Sequence, residues 1–103
     1  MRREFEGKVA IVTGGGSGIG EAIALELGCG GAEVVVADLD LDAAERVAGR
    51  VRDAGARAHA FAVDVADAAA VEKMVDFAVE TAGALHIVVN NAGIGGGSAA
   101  TAD

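Results

Sequence analysis

The length, composition and charge of this chain exclude several classes of protein before any motif is considered. Its 103 residues suffice for one small domain, and their formal charge of −8 disfavours binding to nucleic acids or to anionic membranes. The chain has no Tyr and no Trp, so no mechanism within it can use a phenol as acid or base. Cys29 is the single cysteine and cannot form an internal disulfide, which predicts a reducing, cytoplasmic setting.

Two kinds of apolar segment alternate along the chain. Short continuous runs at residues 9–12, 34–37, 58–63 and 87–89 predict strands that are covered on both faces, as in parallel sheets. Between the runs, apolar residues at helical spacing predict three helices. The predicted buried face of the first helix is Ile19, Ala22, Ile23 and Leu27, and that of the second is Ala44, Val47, Ala48 and Val51. The predicted buried face of the third is Val71, Met74, Val75, Ala78, Val79 and Ala82. Asp67 is the expected N-cap of the third helix. The order βαβαβαβ predicts half of a doubly wound α/β sheet.

A glycine-rich loop joins the first predicted strand to the first predicted helix. Its sequence is TGGGSGIG over residues 13–20, and Glu21 follows in place of the lysine that a P-loop requires. Glycines allow backbone amides to approach a pyrophosphate, and a helix start offers unpaired N–H groups to an anion. The alternative is a plain glycine-rich turn. The position of the loop inside a βαβ unit favours dinucleotide binding.

Asp38 ends the second predicted strand, 18 residues after Gly20. A carboxylate there can accept hydrogen bonds from both hydroxyls of an adenosine ribose, and it would repel the 2′-phosphate of NADP. No Arg or Lys lies in residues 39–41 to offset that repulsion. Asp38 therefore predicts NAD over NADP. The alternative is that Asp38 caps the second helix, although Asp40 or Asp42 could do so.

Four blocks in order resemble the short-chain dehydrogenase/reductase family: the 13–20 loop, Asp38, Asp64-Val65 after the third strand, and NNAG at 90–93 after the fourth. The resemblance covers residues 5 to about 95. It implies a partial Rossmann (doubly wound) fold with a parallel sheet of order 3-2-1-4. It also implies an oxidoreductase that uses NAD on an alcohol/carbonyl pair. Residues 1–94 would be the N-terminal part of the dinucleotide-binding domain, and residues 95–103 a flexible Gly/Ala/Ser tail.

The resemblance also implies a role for each matched residue. Five would surround the pyrophosphate and the nearby ribose: Gly14, Ser17, Gly18, Ile19 and Gly20. Asp38 and Leu39 would hold the adenosine ribose and the adenine edge, and Asp64 with the Val65 amide would bind the adenine amino group. Three residues would line the cofactor cleft through their backbones: Asn91, Ala92 and Gly93.

Several of these residues have a simpler structural interpretation. Asn90 and Asn91 can tie neighbouring loops together, and Asp64 can cap a turn. His59 and His86 are expected to be structural, since their spacing does not predict a metal site. Cys29 is expected to pack rather than to react.

Two departures from the family pattern concern a helix and the catalytic residues. Gly28 and Gly30 are expected to shorten the first helix by a turn. The family's catalytic Tyr, Lys and Ser lie well beyond the NNAG block. This chain has no Tyr, its Lys8 and Lys73 precede that block, and its Ser98 lies in the tail. The chain is therefore interpreted as a truncated, inactive N-terminal part, whose exposed fourth strand predicts marginal stability or self-association. The alternatives are a non-catalytic adenine-nucleotide-binding module and, least favoured, a flavodoxin-like signalling domain.

Overall fold

The computed structural model describes residues 4–91, which form a four-stranded sheet with three helices. The elements in chain order are β1 (Val9–Thr13), α1 (Gly18–Cys29), β2 (Glu33–Asp38), α2 (Leu41–Asp53), β3 (Ala58–Ala62), α3 (Ala68–Ala82) and β4 (Ile87–Asn90). The predicted βαβαβαβ order is confirmed. The predicted tail, and Ala92 and Gly93 of the NNAG block, lie outside the described residues.

All the strand pairs are parallel, and the sheet order is β3-β2-β1-β4, as the sequence predicts. β1 is central, with Val12 opposite Val36 of β2 on one side and Val89 of β4 on the other. Every residue of β1 is buried, and only the two ends of β2 are partly exposed. This register brings the carboxyl ends of the four strands to one edge of the sheet, followed there by the glycine loop, Asp38, Asp64 and Asn91.

The expectation that all four strands are covered on both faces is wrong for the two outer ones. β4 alternates between partly buried and exposed residues, and Val88 is 56% exposed. β3 is buried only at Ala58. Among residues 4–91, each of these strands has a neighbour on one side only.

The second and third helices follow the sequence prediction closely. The four predicted apolar residues of α2 are all buried. Asp67 caps α3 as expected, since its carboxylate accepts from the Ala69 and Ala70 amides. Of the predicted α3 face, Met74 and Ala78 are buried, whereas Val79 is exposed. None of the helices described between residues 4 and 91 is both long and apolar enough to cross a membrane.

The first helix departs from the prediction in two ways. Gly28 does not shorten it, because α1 continues to Cys29. A Cβ at Gly28 would lie 2.7 Å from Val51 Cγ1, so glycine here allows α1 and α2 to pack closely. Ile19 and Ala22 were expected on the buried face but are exposed, whereas Leu27 is buried as predicted and Ala24, which was not predicted, is buried beside it. The first turn projects from the end of the glycine loop into solvent.

Candidate functional site

The glycine loop leaves the end of β1 and turns directly into α1. Gly15 donates its N–H to the Ala37 carbonyl at 3.0 Å, which fixes the loop beside the end of β2. Gly18 has φ +59°, a left-handed conformation in which a side chain is strained, so glycine suits the first residue of the helix. The loop is therefore held against the sheet and ends on a helix start.

The start of α1 differs from the starts of the other two helices. Asp40 and Asp67 accept hydrogen bonds from the first turns of α2 and α3, whereas Ser17 makes no such side-chain bond. Ser17 and Ile19 are exposed beside this helix start. The first-turn amides of α1 and the positive end of its dipole are thus not satisfied by a side-chain cap.

Asp38 lies at the end of β2 with its carboxylate against the glycine loop. Its Oδ2 accepts from the Gly16 N–H at 2.9 Å, and its Oδ1 accepts from the Asp40 N–H at 3.0 Å. Asp38 does not cap α2, because Asp40 does, accepting from the Ala43 N–H at 3.2 Å. Each carboxylate oxygen can accept a second hydrogen bond. Leu39, next in sequence, is 74% exposed.

Asp64 follows β3 and lies in a segment that is tied to Asp38. The Val63 N–H donates to the Asp38 carbonyl at 2.9 Å, which brings the end of β3 beside the end of β2. The Asp64 Oδ1 accepts from the Ala66 N–H at 2.9 Å, so the side chain closes a turn, as the simpler interpretation expected. Val65 beside it is exposed.

Asn90 ends β4 and Asn91 follows it, and they connect that strand to β1 and to the glycine loop. The Thr13 hydroxyl donates to Asn90 Oδ1 at 3.1 Å, and Asn91 Nδ2 donates to the Gly14 carbonyl at 3.2 Å. The loop-tying role, a bond from side chain to backbone, is therefore present for Asn91, whereas Asn90 bonds the side chain of Thr13 in the neighbouring strand. It does not conflict with a cofactor cleft, since the family role of Asn91 uses its backbone.

Sequence analysis missed an ion-pair network beside the glycine loop. Arg46 of α2 donates to both carboxylate oxygens of Glu21, at 3.2 and 3.3 Å, and Arg50 pairs with the same carboxylate. Hydrogen bonding from Arg46, with a further contribution from Arg50, lowers the pKa of Glu21 from its ordinary value, against a smaller opposing effect of desolvation. Arg46 also donates to the Gly16 carbonyl at 2.9 Å. Arg46 is 25 residues from Glu21, so no local spacing reveals the pair.

Comparison with known proteins shows the family to which this chain belongs. The family model for short chain dehydrogenases matches residues 8–103. The chain belongs to the short chain dehydrogenase family.

Among its relatives, cyclohexanol dehydrogenase of Acinetobacter sp. (strain SE19) is 45% identical over 94 residues, which are 91% of this chain and 38% of that enzyme. A structure of 7α-hydroxysteroid dehydrogenase complexed with NADH and 7-oxo glycochenodeoxycholic acid superposes with a TM-score of 0.82 at 38% identity, covering 84% of this chain and 34% of that one. The NADH complex of 3-ketoacyl-(acyl-carrier-protein) reductase from Brucella melitensis gives a TM-score of 0.82 at 49% identity, with coverages of 89% and 36%. The chain thus spans little more than a third of the length of these short chain dehydrogenases.

Other chemically interesting residues of this chain lie away from the carboxyl edge of the sheet. His59 Nε2 is 2.7 Å from Glu33 Oε2, and His86 Nδ1 accepts from the Val9 N–H at 2.9 Å. Within residues 4–91, no three His, Cys, Asp or Glu side chains are grouped to hold a metal ion. Cys29 is exposed, so the packing role expected for it is wrong.

A cavity of about 440 Å³ lies at the opposite, amino edge of the sheet, between Lys8, Cys29, Glu33 and Arg57. None of the residues predicted to bind the cofactor lines it. Its size does not make it the site, because open α/β sheets bind their ligands at the carboxyl ends of the strands.

Proposed function

We propose that this chain forms the adenosine-binding part of the cofactor site in an NAD-dependent oxidoreductase that acts on an alcohol/carbonyl pair. The observation that carries the proposal is the hydrogen bond from the Gly16 N–H to Asp38 Oδ2. It holds the Asp38 carboxylate, which we propose binds the ribose, directly against a glycine loop that leads into a helix start without a side-chain cap. Two similar structures are complexes with NADH, which supports the same cofactor class.

The proposed contacts follow the order of the segments along the sheet edge. The pyrophosphate and the nearby ribose would lie against the loop residues, namely Gly14, Ser17, Gly18, Ile19 and Gly20. Asp38 and Leu39 would hold the adenosine ribose, with Asp64 and Val65 at the adenine. Asn91 would line the cleft, together with Ala92 and Gly93 beyond the described residues.

The residues present fit the adenosine half of a dinucleotide. Each oxygen of Asp38 already accepts one backbone N–H and retains capacity for one ribose hydroxyl. The amides at the start of α1 are suited to an anionic pyrophosphate, because the Ser17 side chain does not cap them. NAD, when bound, would accept or donate the hydride at its nicotinamide ring, and the residues described here would orient the opposite end of the molecule.

We propose that NAD is preferred over NADP because of Asp38. Its carboxylate would lie next to the 2′-phosphate of NADP, and two neighbouring negative charges repel each other. Arg46 is the cation that approaches the loop here, but its guanidinium is already bonded to Glu21 and to the Gly16 carbonyl.

Isothermal titration calorimetry with NAD, ADP-ribose and 2′-phospho-ADP-ribose tests this proposal on the 103-residue chain. We expect ADP-ribose to bind about as well as NAD, because the contacts proposed here are to the adenosine half. Asp38→Asn should reduce the preference for ADP-ribose over its 2′-phosphate about tenfold or more, since it removes a charged acceptor and a repulsive charge. Asp42→Asn is the matched control, because it removes the same charge from the exposed first turn of α2.

Two results would contradict the proposal. If NAD bound far more tightly than ADP-ribose, the adenosine half would not be the part recognised. If Asp38→Asn left the preference unchanged, or if Asp42→Asn changed it equally, the ribose role of Asp38 would be wrong.

A second candidate is an adenine-nucleotide-binding module without catalysis, because most of the contacts proposed here are to the adenosine half of the dinucleotide. Both candidates predict that this chain forms no NADH from secondary alcohols. They differ in the surrounding gene: an in-frame Ser followed by Tyr-x-x-x-Lys beyond codon 103 supports the oxidoreductase, and a stop codon with stable expression supports the module.

A further inference from the structure

The backbone of Gly16 is held on both sides of its Cα by charged side chains. Its N–H donates to Asp38 Oδ2 at 2.9 Å, and its carbonyl accepts from Arg46 Nη2 at 2.9 Å. The Cα between these two peptide groups has no room for a side chain, because a Cβ at Gly16 would lie 2.8 Å from both Ala43 Cβ and Asp38 Oδ2. The orientation of this backbone is therefore set by α2 on one side and by the end of β2 on the other.

Arg46 is itself held in a fixed geometry by Glu21. Its two terminal nitrogens donate to the two carboxylate oxygens, which is the paired arrangement that only a guanidinium can make. The Glu21 side chain is 15% exposed, whereas that of Arg46 is 54% exposed. An isolated surface ion pair contributes little, but a bidentate pair within a network is the exception. Arg50 extends the network by pairing with Glu21 as well.

We propose that Arg46, held by Glu21, is a positioning residue for nucleotide binding: by binding the Gly16 carbonyl it fixes the backbone of that residue, so that the Gly16 N–H orients the carboxylate of Asp38 toward the adenosine ribose. The proposal rests on the proposed nucleotide site and adds to it a residue that does not touch the nucleotide. Asp38 would then reach its binding geometry before the nucleotide arrives, which lowers the entropic cost of binding.

The geometric and the purely electrostatic roles of Arg46 make different predictions. If only its positive charge attracted the nucleotide phosphates, lysine would serve as well. If its fork fixes the Gly16 carbonyl, lysine would fail, because an ammonium cannot bond both oxygens of Glu21 and the carbonyl in this planar arrangement.

The test compares Arg46→Gln and Arg46→Lys with Arg52→Gln in the full 103-residue chain. Arg52 is a matched control on the same helix, since its Nε donates to a backbone carbonyl, that of Ala58, at 3.0 Å, away from the glycine loop. Calorimetry measures the affinity for ADP-ribose and 2′-phospho-ADP-ribose, and NMR measures amide hydrogen exchange at Gly16 without nucleotide. Far-UV circular dichroism shows whether each variant folds, and Arg46→Lys carries the test if Arg46→Gln does not fold.

We expect both Arg46 variants to weaken ADP-ribose binding about tenfold, the loss expected for one charge-assisted hydrogen bond. The Gly16 amide should exchange at least about tenfold faster in both, since it loses the fixed orientation that protects it. Arg52→Gln should change neither quantity more than about twofold.

Three results would overturn the proposal. The first is unchanged ADP-ribose affinity and Gly16 exchange in Arg46→Gln, and the second is the affinity and exchange of the unaltered chain in Arg46→Lys. The third is a loss of affinity for 2′-phospho-ADP-ribose alone, which would mean that Arg46 contacts phosphate directly. Failure of the underlying site looks different. If the unaltered chain does not bind ADP-ribose, the proposed nucleotide site is wrong. Amide exchange at Gly16 would still show whether Arg46 holds the Gly16 backbone.

Discussion

The two faces of the sheet are packed to different degrees, and the candidate site uses both. Against α1 and α2, a cluster of twelve buried residues includes Val12, Val34, Val36, Val47 and Val51, all inaccessible to solvent. Against α3, the buried cluster has six members within residues 4–91, and Val79 of α3 and Val88 of β4 are exposed on that side.

The difference shows which part of the site has a rigid support. The glycine loop joins β1 to α1, Asp38 ends β2 and Arg46 lies in α2. These four elements contribute to the larger cluster. Asp64 follows an outer strand, and Asn91 follows the other outer strand. The residues proposed for the ribose and the pyrophosphate are thus better supported than those proposed for the adenine and the cleft.

The largest effect is expected at Gly20, where the two regions meet. A Cβ there would overlap the Gly14 carbonyl oxygen and lie 2.7 Å from Asn91 Nδ2. Gly20→Ala should therefore displace backbone, destabilise the chain by more than about 2 kcal/mol and abolish ADP-ribose binding. Urea unfolding and calorimetry measure the two effects.

Gly49→Ala is the control for that substitution. Gly49 lies within α2 and has no atom within 4 Å of the added Cβ. The change should stabilise the chain by about 0.5–1 kcal/mol, because alanine is the better helix former. Equal behaviour of the two variants would mean that the close contact at Gly20 is not the cause.

The unequal packing of the two faces is tested by one substitution made in two helices. Val47→Ala in α2 removes methyl groups from a fully buried position and should cost about 2 kcal/mol of unfolding free energy. Val79→Ala in α3 should cost less than about 0.5 kcal/mol, because that side chain is 44% exposed. Urea unfolding measures both, and similar losses would show that the α3 face is as well covered as the other.

Glu21 provides a pH test of the better supported region. Hydrogen bonds from Arg46 and Arg50 lower its pKa in the folded chain below the ordinary value of 4.5. A lowered folded pKa contributes stability that is fully present above the unfolded pKa and is lost as the pH falls through the folded one. The difference in unfolding free energy between the unaltered chain and Glu21→Gln should therefore shrink as the pH falls below about 4.5.

Chemical denaturation of both proteins at several pH values between neutrality and acid measures that difference. Glu45→Gln, an exposed change on α2, is the control variant, because it removes the same charge and leaves the Glu21 ion pairs with Arg46 and Arg50 in place. A constant difference for Glu21→Gln would show that the ion pairs do not form in solution.

Local sequence patterns predicted most of the strands and helices. The predictions failed where the exposure or the partner of a residue depends on residues that are distant in the sequence. The continuous apolar runs identified β1 and β2, the spacing of Val47 and Val51 gave the buried face of α2, and Asp67 was a correct cap. The exposure of Val88 was missed because the cover of a strand is set by its neighbours, which one sequence segment does not encode.

The site divides in the same way. The glycine loop and Asp38 carry recognisable local patterns, and the sheet register brings them together as expected. The pair between Arg46 and Glu21 joins two helices that are adjacent only in the fold, so no spacing along the chain predicts it. Ile19 was assigned to the core by its spacing, but the loop places that first turn of α1 in solvent.

The smallest expected effect concerns association through the outer edge of β4. Within residues 4–91 this strand pairs only with β1, and an unpaired edge with an exposed apolar residue favours pairing with a second copy of the chain. Sedimentation velocity should show a weak, concentration-dependent dimer, and the melting temperature should rise with concentration.

Val88→Lys distinguishes strand pairing from general hydrophobic association. A lysine on an edge strand opposes pairing, and position 88 has room for it because the valine is 56% exposed. Val79→Lys places the same charge on α3, away from the edge, and should leave the dimer in place if the strands pair. If both variants lost the dimer equally, the apolar α3 face would be the contact. If the melting temperature of the unaltered chain did not depend on concentration, the predicted association at β4 would be wrong.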